Sequence, residues 1–314
     1  MYNKNQRIFL MKQFEKTYLR DFLFILTLLV ASISYASDSP QIYVGKIQSL
    51  TKDQLFSMHL RADTGDAQAQ YEIGKQLFVG EIIPKDVFKA RHYLKLASEQ
   101  SHKEALVLLA QLTLNGIGGE KNTERAISLF KEAGERGSSF AYLNLGQLFY
   151  DGKVVEQNYT EAKKYFKIAY QMTEIGEGAY GLGVISYLGL DGNKDSCEAI
   201  TYFENPYLQE NSKALFYLGK TFENGECTKQ GPNLSYALRY YEQSAKLGQD
   251  LAMFKTGMMY YYGTGSKRDF KKAQFWLSKA THNGDLIYTI DVVGVRYSLS
   301  VFYCLLMLEF TTDS

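Results

Sequence analysis

Small and apolar residues recur along the chain at helical spacing, and the whole pattern then repeats with a nearly constant period. Residues 66–78 have this spacing and predict a helix. They carry a variant of the motif Leu-Gly-x-x-Tyr-x-x-Gly, which returns along most of the chain. The second glycine of the motif stands at six positions: Gly80, Gly116, Gly152, Gly189, Gly225 and Gly263. The steps of 36, 36, 37, 36 and 38 residues between them indicate tandem repeats.

Two further series of residues keep the same register and predict how each repeat folds. An alanine follows each glycine by ten to twelve residues: Ala90, Ala126, Ala162, Ala199, Ala237 and Ala273. Four residues before each alanine stands an Asp or Asn: Asp86, Asn122, Asn158, Asp195, Asn233 and Asp269. A left-handed glycine ends many helices, and an Asp or Asn side chain caps the free amides at the start of a helix. Each repeat is therefore predicted to be a first helix, a loop and a second helix.

Side-chain size predicts how the two helices of a repeat pack. The first glycine of the motif, such as Gly146, lets a neighbouring helix approach closely. The apolar residue three positions later, here Phe149, is expected to fill the gap beside it. The repeated alanine is expected to pack on the first helix under a large apolar residue three positions further on: Tyr93, Leu129, Tyr165, Tyr202, Tyr240 and Trp276.

These patterns predict an all-α fold, a right-handed α-solenoid (superhelix) of six helix-turn-helix repeats, because one hairpin cannot bury its apolar face alone and stacked hairpins can. The repeats are assigned to residues 66–102, 103–138, 139–175, 176–211, 212–248 and 249–285. Residues 37–65 are expected to cap the stack, with a single helix within 49–65. Pro206 predicts that the second helix of the fourth repeat ends early or kinks.

The first 36 residues have the three parts of a signal peptide. Lys12, Lys16 and Arg20 precede an apolar run at 22–31, and Ser34 and Ala36 are the small residues expected before a cleavage site. An uncleaved membrane anchor is the alternative, but the run is shorter than the roughly 20 residues of a span. We therefore expect a periplasmic or secreted protein that begins near residue 37, whether Met1 or Met11 is the start.

The tail, residues 286–314, departs from the repeat pattern. Its apolar segment 297–308 has three interpretations: a C-terminal cap helix, a membrane-inserted segment, or the end of a truncated reading frame. Arg296 and Glu309 leave only 12 uncharged residues between them, which favours the first or third interpretation over a span.

Charge argues against one class of partner. The formal net charge is +1, and the first 36 residues carry +3, so the remainder carries −2. A nearly neutral body lacks the basic stripe that nucleic acid requires. We therefore expect no nucleic-acid partner.

The residues that could carry chemistry are few. Cys197 and Cys227 lie in corresponding loops of adjacent repeats, where they either form a disulfide in an oxidising compartment or stay as two free thiols. The segment 255–257 (Lys-Thr-Gly) matches a motif of penicillin-recognising enzymes, but it falls inside a predicted helix and lacks a Ser-Asp-Asn partner. The histidines have no metal-ligand spacing. The sequence therefore predicts no catalytic residue, metal or cofactor, with a cell-wall or β-lactam hydrolase as the alternative.

The repeat resembles that of the Sel1-like repeat family, a relative of the tetratricopeptide repeats. The match is close at Lys272, Ala273 and Trp276, and at Lys89, Ala90 and Tyr93. The resemblance implies a non-enzymatic scaffold or adaptor that binds proteins. Exported bacterial members often act in the periplasm or outside the cell, so a host-interaction or envelope factor is implied. A membrane-tethered organiser, held by an uncleaved N-terminus or by insertion of the apolar tail, is the alternative.

The resemblance also implies where a partner would bind. In related helical repeats the first helices line the concave face, where a protein or peptide would dock. Seven residues are the candidates for contact on that face: Lys75, Phe78, Gln147, Tyr150, Tyr187, Lys220 and Tyr261. Aromatic side chains bury area at a low cost in conformational entropy, which suits a peptide groove. The alternative for the aromatic candidates is that they pack between repeats.

Overall fold

Thirteen α-helices follow one another within the described part of the chain. The computed structural model describes residues 51–173, 176–227, 229–282, 290–292 and 295–297, all within one unit, Gln48–Ser314. The helices are α1 (Lys52–Asp63), α2 (Ala67–Val79), α3 (Val87–Glu99), α4 (Lys103–Asn115), α5 (Thr123–Glu135), α6 (Ser139–Asp151), α7 (Tyr159–Thr173), α8 (Gly176–Leu188), α9 (Ser196–Phe203), α10 (Ser212–Asn224), α11 (Leu234–Lys246), α12 (Asp250–Tyr262) and α13 (Phe270–His282).

The helices stack in sequence order. From α2 onward they form six hairpins, and each helix packs mainly against the helix before it and the helix after it. The even-numbered helices α2 to α12 are the first helices of the six repeats, and α3 to α13 are the second helices. This arrangement confirms the prediction of an all-α solenoid of six repeats. The single helix α1 packs against α2 ahead of the first hairpin.

The helix ends follow the marker residues. All six second glycines of the motif are left-handed, with φ between 63° and 82°. All six Asp and Asn markers accept a hydrogen bond from the backbone N–H three residues later. The backbone N–H of each marker also donates to a carbonyl near the end of the preceding helix, as Asp86 does to Leu77 at 2.9 Å. Both predicted roles are confirmed.

The core between the helices of a repeat is built around the six alanines, each of which is 0% exposed. A different residue from the one predicted fills the space beside the first glycine of the motif. It comes from the second helix, four positions after the alanine, as Phe166 does opposite Gly146. The corresponding residues are all buried: Leu94, Phe130, Phe166, Phe203, Tyr241 and Leu277. The assignment of this role to Phe149 and its equivalents was wrong, because the gap is filled across the hairpin.

The fourth repeat is irregular in the predicted way. Helix α9 has eight residues and ends at Phe203. A 3₁₀ turn, Pro206–Leu208, follows, and the side chain of Asn205 caps it by accepting the N–H of Tyr207. Leu208 is 3% exposed and fills part of the core that the missing helical turn would have covered.

Beyond α13 the structure has a short antiparallel pair of strands, β1 (Ile290–Val292) and β2 (Val295–Tyr297), in which Ile290 pairs with Tyr297. A helix at 297–308 was one interpretation of the tail; Tyr297 instead ends a strand, and 298–314 lie outside the described residues. The predicted signal peptide also lies outside them. In the part of the chain that the structure describes, no helix combines the length and apolar character needed to cross a membrane.

Candidate partner-binding face

The structure separates the seven predicted contact residues into two groups. Lys75, Tyr150 and Tyr187 are 6%, 6% and 4% exposed, so they belong to the interior of the stack. Tyr150 packs on Tyr159 and Phe166 within its own repeat. These three residues are therefore corrected: they pack within and between repeats and do not offer a surface to a partner.

The buried lysine of this group already has its counter-charge. Lys75 Nζ lies 2.8 Å from Glu72 one turn earlier on α2, and its ammonium stands over the ring of Tyr71. A buried lysine needs such a partner, because an unpaired ammonium loses its hydration without compensation.

The other four candidates keep part of their surface. Gln147 is exposed on α6 and donates to Asp151 at 2.8 Å. Phe78, Lys220 and Tyr261 are partly buried on α2, α10 and α12. Their role in binding stays a prediction.

Lys220 lies in a group of charged residues that spans three repeats. We call the residues Lys194, Lys220, Glu223, Glu226 and Lys255 the Lys220 cluster. Lys194 comes from the loop of the fourth repeat, Lys220 and Glu223 from α10, Glu226 from the loop after it, and Lys255 from α12. The ammonium of Lys220 lies 5.6 Å from the ring centre of Tyr187 on α8.

Both carboxylates of the cluster are already engaged by other donors. Glu223 accepts from Lys255 at 2.9 and 3.0 Å and from the hydroxyl of Tyr241 at 2.6 Å. Glu226 accepts from Lys194 at 2.8 Å and from the hydroxyl of Ser196 at 2.5 Å. Two glutamates thus balance two of the three lysines, and the charge of Lys220 is left over.

The electrostatics of the cluster follow from this arrangement. Burial lowers the pKa of Lys220, and the neighbouring charge of Lys255 lowers it further against the opposing effect of Glu223. Burial raises the pKa of Tyr187, and the carboxylate of Glu226 adds to the effect. Tyr187 therefore stays a neutral phenol that offers its ring to the ammonium.

A disulfide lies next to the cluster. Cys197, in the first turn of α9, is bonded to Cys227, with their Cα atoms 5.2 Å apart. Cys227 has a left-handed backbone, φ 64°, and directly follows Glu226. The bond therefore fixes the loop that carries Glu226 against the fourth repeat.

A second polar network between the third and fourth repeats was missed by sequence reasoning. Lys163 on α7 lies 3.0 Å from Asp191 and 3.2 Å from Glu198. Burial alone would lower the pKa of Lys163, but the two carboxylates outweigh it and raise the pKa. Glu198 also accepts from the hydroxyl of Ser186 at 2.6 Å. The three ionised residues come from separate elements, so nothing in their spacing along the chain marked them as a group.

The hydrolase alternative gains no geometric support. Lys255, Thr256 and Gly257 lie in the middle of α12, where Lys255 is paired with Glu223 and Thr256 is 0% exposed. Gly257 faces Leu277 and serves the packing of the repeat. Among the described residues, no group of three His, Cys, Asp or Glu side chains is placed to hold a metal ion.

The stacked hairpins define an α-solenoid, and comparison with known proteins gives its family. Six successive segments match the model of the Sel1 repeat: residues 67–102, 103–138, 139–173, 176–205, 212–249 and 250–285. Each match starts at the first residue of a first helix. The chain belongs to the Sel1 repeat family.

Relatives and a solved structure agree with this assignment. The chain is 24% identical over 252 residues to an uncharacterized Sel1-like repeat-containing protein of Schizosaccharomyces pombe, across 74% of this chain and 37% of the relative. It is 23% identical over 251 residues to the chitin synthase regulator SKT5 of Saccharomyces cerevisiae, across 77% and 36%. The chain thus spans little more than a third of the length of these two relatives.

The solved structure is that of a protective antigen present in uropathogenic Escherichia coli strains, which displays an SLR fold. It superposes with a TM-score of 0.69 and 26% identity, across 76% of this chain and 50% of the antigen. Sel1-repeat proteins are generally protein–protein interaction scaffolds. The fold and the family of this chain are those of a repeat scaffold.

Proposed function

We propose that this chain is an exported scaffold that binds a protein or peptide partner through the face formed by its first helices, as a host-interaction or envelope factor. The observation that carries the proposal is the row of first helices in a Sel1 solenoid, on which Gln147, Lys220 and Tyr261 keep accessible surface. The nearly neutral charge supports a protein partner over nucleic acid.

Three observations support export. The basic and apolar segments of residues 12–31 have the order of a signal peptide. A disulfide joins Cys197 and Cys227, and such bonds persist mainly in oxidising compartments. A solved structure with the same fold belongs to a protective antigen of a pathogenic bacterium.

Export is tested by fractionating cells that express the full chain and sequencing the N-terminus of the protein outside the cytoplasm. We expect a new N-terminus near residue 37. Leu28→Lys, which places a charge in the apolar run, should keep the protein in the cytoplasm with reduced cysteines, whereas Leu28→Val should export normally. Normal export and processing of the lysine variant would contradict the proposal.

The binding face is tested by photo-crosslinking in the native compartment. A benzophenone side chain replaces either Gln147, exposed on the first helix α6, or Lys131, exposed on the second helix α5 of the preceding repeat. Because both sites are exposed, neither replacement disturbs the core. We expect a specific adduct from position 147 and none from position 131. Adducts from position 131 alone, or from neither position, would overturn the assignment of the face.

A further inference from the structure

Lys220 is the member of its cluster that lacks a counter-charge. Within residues 51–173, 176–227 and 229–282, no carboxylate oxygen lies within 4.0 Å of its ammonium and no acceptor hydrogen-bonds to it. Its contact is with the ring of Tyr187, 5.6 Å away. The two nearby carboxylates accept from four other donors: Lys194, Ser196, Tyr241 and Lys255.

This contrasts with the equivalent position of the first repeat. Lys75 follows the first glycine of its motif as Lys220 does, and it is paired with Glu72 on the same helix. The residue corresponding to Glu72, three before the lysine, is Tyr217 in the fifth repeat. Tyr217 packs on the ring of Phe203 and cannot neutralise a charge. The fifth repeat therefore keeps the lysine without its internal partner.

A partly buried ammonium without a partner is unfavourable, because it has lost part of its hydration and gained no anion. Burial and the adjacent charge of Lys255 also lower the pKa of Lys220. An incoming carboxylate would supply the missing charge and a strong hydrogen bond. The ring of Tyr187 positions the ammonium before the ligand arrives. The ion pairs Lys194–Glu226 and Lys255–Glu223 leave both neighbouring carboxylates engaged.

We propose that Lys220 is an anchor site for a carboxylate side chain, Glu or Asp, of the partner polypeptide, bound between Lys194 and Lys255 at the junction of the fourth, fifth and sixth repeats. The inference rests on the proposed function and specifies the chemistry of its partner. The occupant is an acidic peptide segment, because the site has one surplus positive charge. The residues that line the site come from the first helices or adjoining loops of three successive repeats, and an extended peptide would contact these repeats in turn.

The test is a peptide array probed with the labelled full chain. Each random 12-residue peptide is printed beside a copy in which every Glu and Asp is replaced by Gln or Asn. The chain is used as wild type, Lys220→Gln, Lys220→Arg and Lys213→Gln; Lys213 is exposed on the same helix and serves as the matched control. Circular dichroism and thermal melting establish that each variant is folded.

We expect the bound peptides to prefer the acidic copy by roughly 10- to 100-fold, the range for a hydrogen bond to a charged group. Lys220→Gln should remove that preference, while Lys220→Arg and Lys213→Gln should retain it. The carboxylate site is overturned if the acidic peptides and their amide copies bind equally well, or if the preference for the acidic copy survives Lys220→Gln. Either result leaves the proposed scaffold function standing. Binding of inorganic phosphate with no binding of any peptide would also overturn the carboxylate site as a peptide anchor, whereas the crosslinking experiment tests the scaffold independently.

Discussion

The ring of Phe166 lies against Gly146 with no room for a side chain between them. A Cβ atom on Gly146 would stand 2.5 Å from Cδ1 of this ring. On its other edge the same ring meets Gly181 of the next repeat, where a Cβ would stand 2.7 Å from Cε2. Phe166 is thus packed between glycines of two successive repeats, so a shift of the ring away from one glycine brings it closer to the other.

Gly146→Ala is therefore expected to destabilise the chain. Alanine favours the helix by about 1 kcal/mol over glycine, but overpacking a core costs about 1–3 kcal/mol, and the fixed ring places this site at the upper end. We expect a net loss of about 1–2 kcal/mol in the free energy of unfolding, measured by urea denaturation. Adding Phe166→Leu should recover part of that loss. A Gly146→Ala protein as stable as wild type would show that the helices can separate at no cost.

The disulfide is expected to stabilise the junction of the fourth and fifth repeats. It closes a segment with a sequence separation of 30. A loop of that length reduces the entropy of the unfolded chain by the equivalent of about 3–4 kcal/mol. Replacing Cys197 and Cys227 by Ser should lower the free energy of unfolding by up to this amount, measured by urea denaturation without reductant. The control is the same comparison in the presence of reductant, where the difference between the wild type and the serine variant should largely disappear; an equal difference with and without reductant would contradict the prediction.

His102 predicts a pH dependence of stability. Its Nδ1 accepts the N–H of Ala105 at the start of α4, and its Nε2 lies 2.9 Å from Gln68. The imidazole ring must be neutral for Nδ1 to accept this hydrogen bond. Burial lowers the pKa of His102, although the carboxylate of Glu104 opposes the effect. Below pH ~6.5 the unfolded chain takes up the proton first, so stability falls with pH down to the lowered folded-state pKa.

The measurement is a series of urea denaturation curves from pH 7.5 downward. His102→Asn keeps a capping side chain that does not titrate, so it should flatten this part of the profile. His92→Asn, at an exposed position on α3, should leave the profile unchanged. A profile identical in wild type and His102→Asn would rule out the histidine as its source.

The ion pairs of Lys163 are expected to hold the third and fourth repeats together. Lys163→Gln leaves Asp191, whose side chain is only 9% exposed, without its cation. Leaving such a group unsatisfied costs about 1–3 kcal/mol of folding free energy, so the midpoint temperature of thermal unfolding should fall. The neighbouring Lys164→Gln is the matched control. Lys164 is 58% exposed, and its one ion pair within the described residues is with Glu161 on its own helix. Equal shifts for the two variants would contradict a special role for Lys163.

The sequence predicted those features that each repeat determines locally. Gly152, a left-handed glycine, and Asn158, a capping residue, each determine the backbone within a few residues of their own position. The spacing of such residues along the chain therefore predicted where the helices end and which family the repeat resembles. The residue that fills the space beside the first glycine was misassigned, although Phe166 and its equivalents repeat with the alanines. Large residues stand both three and four positions after all six of those alanines, as Tyr165 and Phe166 do, and only the packing across the hairpin distinguishes them.

The candidate site was less predictable, because exposure depends on contacts between repeats. Lys75 and Lys220 occupy the same position in the repeat, yet one is buried with a carboxylate and the other is partly open without one. Tyr150 and Tyr187 are of a residue type that is common in binding surfaces, but both lie in the core. No periodic signal marked Glu226, which comes from the loop after the helix of Lys220, or Lys255, which comes from the next repeat.

The repeated left-handed glycine has a consequence for how the gene can change length. Gly116 and Gly152 end their helices with nearly the same φ, 68° and 63°, and each is followed by the same kind of loop and cap. Excision of residues 117–152 would join two chain ends that already have matching conformations, and the flanking hairpins would meet through the same classes of side chain. Loss or duplication of a whole repeat is therefore far less harmful than loss of half a repeat. The number of repeats can then vary between related proteins while the junctions between repeats stay the same.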